Sequence, residues 1–379
     1  MDTTIIQSAR VLVGMSGGVD SSVSAALLKE QGYAVEGAFI VPWSPSWLPC
    51  TWRDERLDAL RVAESLHIPF HTVDLSLEYE RDVVQYMVQE YQAGRTPNPD
   101  VMCNKHVKFG AFFDWAIDHG FEYVATGHYA RVSSDSILDT HDSPLVTRYS
   151  LLAGVDTNKD QSYFLWTLTQ HHLGHTLFPV GEYKKSYVRA RAETYGLPTA
   201  RKKDSQGICF LGQVDMKEFL YHYIPSQQGD VLDKNGVVIG RHDGAAFITL
   251  GQRHGFTVAH TGSSDPPLYV VSKNIQSNTI TVAPRNDSET AVSNDAKRHV
   301  HLTDLNWMSG TEASDVSNYR CLARFRYRQS LVPVTVARAQ GDSAEITFDT
   351  PQEYVALGQS LVLYEGSVCL GGGIIDRVY

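Results

Sequence analysis

Two features of the 379-residue sequence have the residue types and spacing to do chemistry. The first is Gly14-Met15-Ser16-Gly17-Gly18-Val19-Asp20-Ser21-Ser22. It follows the apolar run Val11-Leu12-Val13, which reads as a short buried parallel strand, and precedes a helical stretch from Val23 to Lys29 that stops before Gly32. Strand, glycine turn and helix start together form an anion site. Unsatisfied N–H groups and the positive end of the helix dipole point at one place, and the glycines carry no Cβ to block a ligand. The hydroxyls of Ser16, Ser21 and Ser22 suit pyrophosphate oxygens, and the Asp20 carboxylate suits Mg²⁺. No lysine stands in the Walker position, and the spacing is not GxGxxG.

The second feature is a pair of cysteines in polar loops. Cys103 ends Gly94-Arg95-Thr96-Pro97-Asn98-Pro99-Asp100-Val101-Met102, where two prolines predict a stiff extended loop; a helix is predicted from about Lys105 to His119. Its neighbours Lys105 and His106 and the helix start predict a lowered thiol pKa. Cys209 follows Lys202-Lys203 and a glycine-containing loop, again a setting for a thiolate. The two are too distant in sequence for a metal finger, but a pair that meets in space is allowed. No CxxC occurs, which argues against a zinc ribbon or a cysteine-held iron–sulfur cluster. Cys321 and Cys369 sit in strand-like runs and read as packing residues. Weaker candidates are Gly127-His128, at the end of the strand 123–126, and Lys159-Asp160-Gln161, whose mixed donors and acceptors suit a base, a phosphate or a helix cap.

Strands alternating with helices through Asp74 and beyond predict an α/β, Rossmann-like, doubly wound parallel sheet that presents the glycine loop at its carboxyl edge. The expected elements are strands over 33–41 and 70–74, helices over 54–66 and 77–92, and a strand-like stretch over 151–155. Past about Val214 the pattern changes to short apolar runs with tight turns such as Asp233-Lys234-Asn235-Gly236. The expected organisation is a nucleotide-using catalytic domain over 1–214, a small mostly-β domain over 215–288, a polar linker over 287–298 and a C-terminal antiparallel β-barrel over 297–379. Apolar residues make up 42% of the chain, and no run is long enough to span a bilayer. Five cysteines and no secretory signal predict reduced thiols and a cytoplasmic protein. The net charge of −10 is not that of a general nucleic-acid binder. However, 181–205 holds seven Lys/Arg against three Asp/Glu, and Arg320, Arg324, Arg326 and Arg328 form a second basic run; either could meet phosphates or be a solvated face.

SGGVDSS resembles the signature of the PP-loop ATP pyrophosphatases. With GRTPNPDVMCNK, ATGHY, KDQSYF, DSQGICF, FRYRQ and CLGGGII, all in order from Gly14 to Ile375, the chain resembles the tRNA-specific 2-thiouridylases (the MnmA family). The resemblance implies ATP, cleaved between its α and β phosphates, on Gly14, Met15, Ser16, Gly17, Gly18, Val19, Asp20 and Ser21, with Ile40 and Gly127 lining the site. It implies adenylation of the wobble uridine at C2, Cys209 as the persulfide carrier, Cys103 as nucleophile or resolving thiol, and a Cys103–Cys209 disulfide after transfer. Contacts to the target base carry over to Asn98, Pro99 and Asp100. Contacts to tRNA carry over to His128, Lys159, Asp160, Gln161, Arg326, Tyr327 and Gln359. The implied partners are tRNAs for Lys, Glu and Gln and a persulfide donor, either a cysteine desulfurase or a relay protein. Two departures stand out: the segment from Val41 to Trp47 lacks the family's usual acids, and His106 stands where Glu is usual.

Overall fold

The computed structural model describes residues 8–48, 52–137, 146–204, 209, 215–259, 266–284, 297–309 and 317–379. Cys50, the segment 205–208 leading to Cys209, and most of the expected linker 287–298 lie outside them.

The first strand, β1 (Arg10–Gly14), has Val11, Leu12 and Val13 fully buried. It pairs in parallel with β2 (Ala34–Val41) on one side and β4 (Tyr123–Ala125) on the other. With β3 (Phe70–Asp74) and β7 (Thr176–Leu177) they make a sheet of order β3-β2-β1-β4-β7, parallel throughout. Side chains alternate along β1. Val11 and Val13 pack against helices α1 (Val19–Glu30) and α2 (Trp52–Ser65), whereas Leu12 packs against helical segments 76–92 and 99–118 on the opposite face. Strand order reverses between β1 and β4. A crevice opens there at their carboxyl ends, as doubly wound sheets require.

The helix carrying Cys103 starts earlier than the prolines predict. Asn98 caps it, its Oδ1 accepting from Val101 N at 3.3 Å, and Pro99 takes the first helical position, where a missing N–H costs nothing. An α-turn over Pro99–Met102 runs straight into a π-helical stretch, Cys103–Ala111, broken at Gly110. The extended loop is therefore only residues 94–98.

Residues 229–284 form a five-stranded sheet, β10 (Phe256–Val258), β9 (Val238–His242), β8 (Gly229–Leu232), β12 (Thr279–Pro284) and β11 (Leu268–Asn274) in that order. It is antiparallel except for the β12–β8 pair. The C-terminal strands β13 (Lys297–Trp307), β14 (Ser317–Arg324), β15 (Val332–Gln340), β16 (Ser343–Gln352), β17 (Ser360–Glu365) and β18 (Val368–Val378) form an antiparallel barrel closed by the β13–β18 pairing. The α/β domain is not cut cleanly from it. The hairpin β5 (Ala130–Ile137) and β6 (Val146–Ala153) leaves the crevice and adds to the barrel through β6–β18. Buried Trp166 and Tyr163 bond Ser360, by Nε1 to its Oγ at 3.0 Å and by OH to its carbonyl at 2.9 Å. Cys369 is buried and Cys321 half-buried in the barrel, with burial pushing each thiol up to about 12.

Candidate active site

The crevice at the switch point is a cavity of about 540 Å³ with the glycine loop at one end and Cys209 at the other. Gly14, Met15, Ser16, Gly18, Val19, Asp20 and Ser21 line it, as do Ile40 and Gly127. Gly17 lies behind the loop at φ +71°, where a Cβ would strike the Glu55 carbonyl. The start of α1 carries no side-chain cap, so its first N–H groups are left for a ligand. Gly127 closes over this start: a Cβ there would lie 2.7 Å from Ser21 N. Ser16 N donates to Ser21 Oγ at 3.2 Å, which holds the two hydroxyls side by side. Ser22 differs from the sequence expectation. It is fully buried, donates to the Gly18 carbonyl and accepts from Thr199 Oγ1 at 2.9 Å, so it braces the turn and does not face the cavity.

Charges around the loop are organised by two aspartates. Lys185 Nζ reaches both oxygens of Asp20 at 2.7 Å, and Tyr129 OH donates to the same carboxylate at 2.8 Å. Asp204 holds Lys159 at 2.7 Å, Lys185 at 2.9 Å and Arg189 at 2.5 Å. Burial opposes its ionisation, but the bonds from Lys159 and Lys185 win and bring its pKa down to about 2. Among the described residues, no three His, Cys, Asp or Glu side chains gather as metal ligands. Asp20 is already paired, so Mg²⁺ fits here only as an ion brought in by phosphates, which commonly supply its ligands.

At the far end the two cysteines meet. Both are free thiols, and Cys103 Sγ lies 3.4 Å from Cys209 Sγ. Cys209 N donates to Asp100 Oδ1 at 2.9 Å, and Tyr79 OH donates to the Cys209 carbonyl at 2.7 Å, which pins that residue from two sides. Cys103 is fully buried, and this overturns the expectation of a thiolate there. Burial first and the adjacent Cys209 sulfur second push its thiol well up. The expected cations do not supply the field: Lys105 points to solvent, and burial lowers the His106 pKa. Cys209 faces the cavity, and its thiol is lowered, by the hydrogen bond from Cys103 and then by Lys108. Burial raises the Asp100 carboxyl, and burial then Lys108 push His128 well below its ordinary value, so the imidazole is neutral. His128 Nδ1 lies 2.8 Å from Thr126 Oγ1.

Of the remaining sequence candidates, Asp100, His128, Lys159, Gln161 and Tyr327 line the cavity. Asn98 and Pro99 form the start of the Cys103 helix. Asp160 faces inward. Its carboxylate accepts from Gly154 N and Ser162 N, and Arg324 meets it at 3.2 Å. Arg326 is spent on the Leu250 and Tyr354 carbonyls, and Gln359 Nε2 holds the Thr96 and Pro97 carbonyls at 2.9 and 3.0 Å. Of the second basic run, Arg328 reaches the cavity and Arg320 pairs with Asp349 at the surface. The first run is largely neutralised, since Lys185, Arg189, Arg191 and Lys202 all sit in ion pairs. Lys108, Tyr129, Lys185, Phe164 and Arg328 are site residues beyond those carried over from the motifs. Tyr129, Phe164 and Arg328 stand inside ATGHY, KDQSYF and FRYRQ, and Lys185 and Arg328 inside the two basic runs.

Fold and cavity define a PP-loop nucleotide domain of the HUP type, joined to two β domains. Residues 9–213 match the tRNA methyl transferase HUP domain, 217–284 the tRNA methyl transferase PRC-barrel domain and 297–375 the aminomethyltransferase beta-barrel domain. The chain is 43% identical to the tRNA-specific 2-thiouridylase MnmA of Enterococcus faecalis over 98% of this chain and 96% of the relative. It is 46% identical to tRNA-specific 2-thiouridylase MnmA 2 of Geobacillus kaustophilus over 98% and 95%. The chain belongs to the tRNA-specific 2-thiouridylase family and is a tRNA sulfurtransferase. Among the described residues no helix is long and apolar enough to cross a membrane.

Proposed function

We propose that the enzyme makes 2-thiouridine at the wobble position, adenylating the C2 oxygen with ATP and transferring sulfur from a persulfide on Cys209. The observation that carries this reading is the 3.4 Å approach of two free thiols, one of which, Cys209, lines the same cavity as an uncapped glycine-turn helix start. A carbonyl oxygen does not leave as hydroxide at neutral pH, but as AMP it does. The uridine C2 oxygen attacks the α phosphorus, the α–β bond breaks and pyrophosphate departs. The N–H groups of Val19 to Ser21 and the paired hydroxyls of Ser16 and Ser21 hold the phosphate charge, and Lys159 and Lys185 face the same anion. Mg²⁺ brought in on the phosphates would add charge neutralisation beside Asp20, whose carboxylate is paired with Lys185 and Tyr129.

The outer sulfur of Cys209–S–S⁻ then attacks C2, AMP leaves, and the base is joined to Cys209 through a disulfide. Cys103, once deprotonated, attacks Cys209 Sγ. The S–S bond to the base breaks, the electron pair leaves on the base sulfur as 2-thiouridine, and a Cys103–Cys209 disulfide remains. The separation of 3.4 Å is a near-attack distance. Asn98, Pro99 and Asp100 meet the everted base, which RNA-modifying enzymes take out of its stack. His128, Lys159, Asp160, Gln161, Arg326, Tyr327 and Gln359 form or brace the tRNA face. The substrates are tRNAs for Lys, Glu and Gln, a cysteine desulfurase or relay protein charges Cys209, and the enzyme works in the cytoplasm with residues 1–214, 215–288 and 297–379 as its three domains.

The test is nucleoside mass spectrometry of tRNA incubated with protein, ATP, Mg²⁺ and a persulfide source. Wild type yields 2-thiouridine; Cys103→Ser and Cys209→Ser yield none. Normal thiolation by either variant overturns the two-thiol scheme.

A further inference from the structure

The Cys103 helix is π-helical from Cys103 to Ala111, and a π-turn bonds the backbone of residue i to that of residue i+5, which brings the two toward the same side of the helix. Cys103 and Lys108 therefore share one side of the same turn, and an α-turn would have carried Lys108 further round. Asn104, on the adjacent edge, is tied by Nδ2 to the Phe164 carbonyl at 3.1 Å, which fixes the rotation of the turn. Lys108 lines the cavity together with Cys209, Asp100, Asn104 and His128, and the Cys209 sulfur comes first among the groups that hold its ammonium charged.

We infer that the Lys108 ammonium is the counter-ion that keeps sulfur anionic on Cys209 and directs that charge into the cavity, a catalytic residue for the transfer step. The proposal rests on the two-cysteine reading above. An ammonium half-buried in a cavity wall is favoured by an anion beside it. Among the described residues, the titratable groups facing this spot are Tyr79, Asp100, Cys103, Cys209 and His128. Tyr79 is a neutral phenol whose OH donates to the Cys209 carbonyl, and His128 is a neutral imidazole. Asp100 spends an oxygen on Cys209 N, and burial raises its pKa. Cys103 serves as donor to its neighbour. Of these the Cys209 sulfur weighs most in holding Lys108 charged against the opposing effect of burial, with Asp100 a lesser partner. A persulfide extends the anion about 2 Å past Sγ, still within reach of a lysine's flexible stem. Lys108 thus distinguishes the two thiols: Cys209 is ready to attack, and Cys103 keeps its proton until the resolving step.

The experiment follows alkylation of Cys209 by iodoacetamide against pH in the full chain, with peptide mass spectrometry and with Cys321 and Cys369 as slow internal comparators. Wild-type Cys209 should titrate below the ordinary thiol value. Lys108→Gln should raise the midpoint by at least one unit, about a tenfold loss of reactivity at neutral pH, and Lys108→Arg should restore it. A wild-type midpoint at or above the ordinary value refutes the proposal whatever the variants do, and so does a folded Lys108→Gln protein with an unchanged midpoint. Because alkylation needs neither ATP nor tRNA, a shifted midpoint with no thiouridine formed by wild type would overturn the sulfur-transfer reading and leave the counter-ion in place.

Discussion

Replacing Asp204 by Asn should make the protein less stable and its hold on ATP tighter. In the native structure one carboxylate satisfies Lys159, Lys185 and Arg189, and its pKa falls from 3.8 to about 2. A carboxylate depressed on folding adds stability that is fully present above its unfolded pKa and is lost as pH falls through the folded value. The window here runs from about 4 down to about 2. A fall of just under two units is worth on the order of 2 kcal/mol at pH 7, and the partial exposure of the carboxylate makes this an upper figure. Urea unfolding at pH 7 should show a deficit of that order, and the gap between variant and wild type should close below pH 4. ATP binding should move the other way. Asp204 lines the cavity and competes with phosphate for Lys159, so its neutralisation should tighten ATP severalfold by calorimetry. Equal stability at pH 7 would refute the ion-pair argument. Weaker ATP binding by a stable variant would refute the competition and make Asp204 a ligand of the nucleotide or its metal.

Two further perturbations follow from close contacts. Gly127→Ala places a Cβ 2.7 Å from Ser21 N and 2.9 Å from the Asp20 carbonyl carbon, both backbone atoms that cannot step aside. Overpacking of this kind costs about 1–3 kcal/mol, so ATP affinity should drop roughly ten- to a hundredfold; affinity within twofold of wild type would show that the loop does not need this approach. Gln359→Ala removes two hydrogen bonds to the Thr96 and Pro97 carbonyls and frees the segment that leads into Asn98. Thiolation turnover should fall while ATP affinity stays unchanged, as measured by single-turnover nucleoside analysis and calorimetry; parallel loss of both would mean that the barrel supports the whole nucleotide domain.

Much of the fold was legible because its signals are local. Val11 to Val13, bounded by polar residues and a glycine turn, reads as a buried strand, and β3 runs over Phe70–Asp74 as the apolar pattern predicts. The helix at Pro99 was misread for an equally local reason. A proline is hostile inside a helix and welcome at its first position, and only the capping bond from Asn98 tells the two cases apart. The β5–β6 hairpin was invisible as part of the barrel, because its partner β18 lies more than two hundred residues further on and no pattern within the hairpin names it.

The site divides in the same way, and the division falls between motif and counter-charge. The glycine loop and Cys209 stand in stretches whose composition advertises exposed donors and a polar turn. What makes those groups chemically competent lies elsewhere in sequence. Lys185 bears on Asp20 from 165 residues away, Arg324 holds Asp160 from 164, and Asp100 takes the backbone of Cys209 from 109. Lys108 is close to Cys103 in sequence, yet helical reasoning with a period of 3.6 sets it on another face; only the π-turn brings it round. The adjacent residues Lys105 and His106, which suggested an acidic Cys103, turn away, and burial gives that thiol the opposite character. Near neighbours in sequence therefore marked out the two sulfurs, whereas the contacts that distinguish one from the other come from groups that only folding assembles.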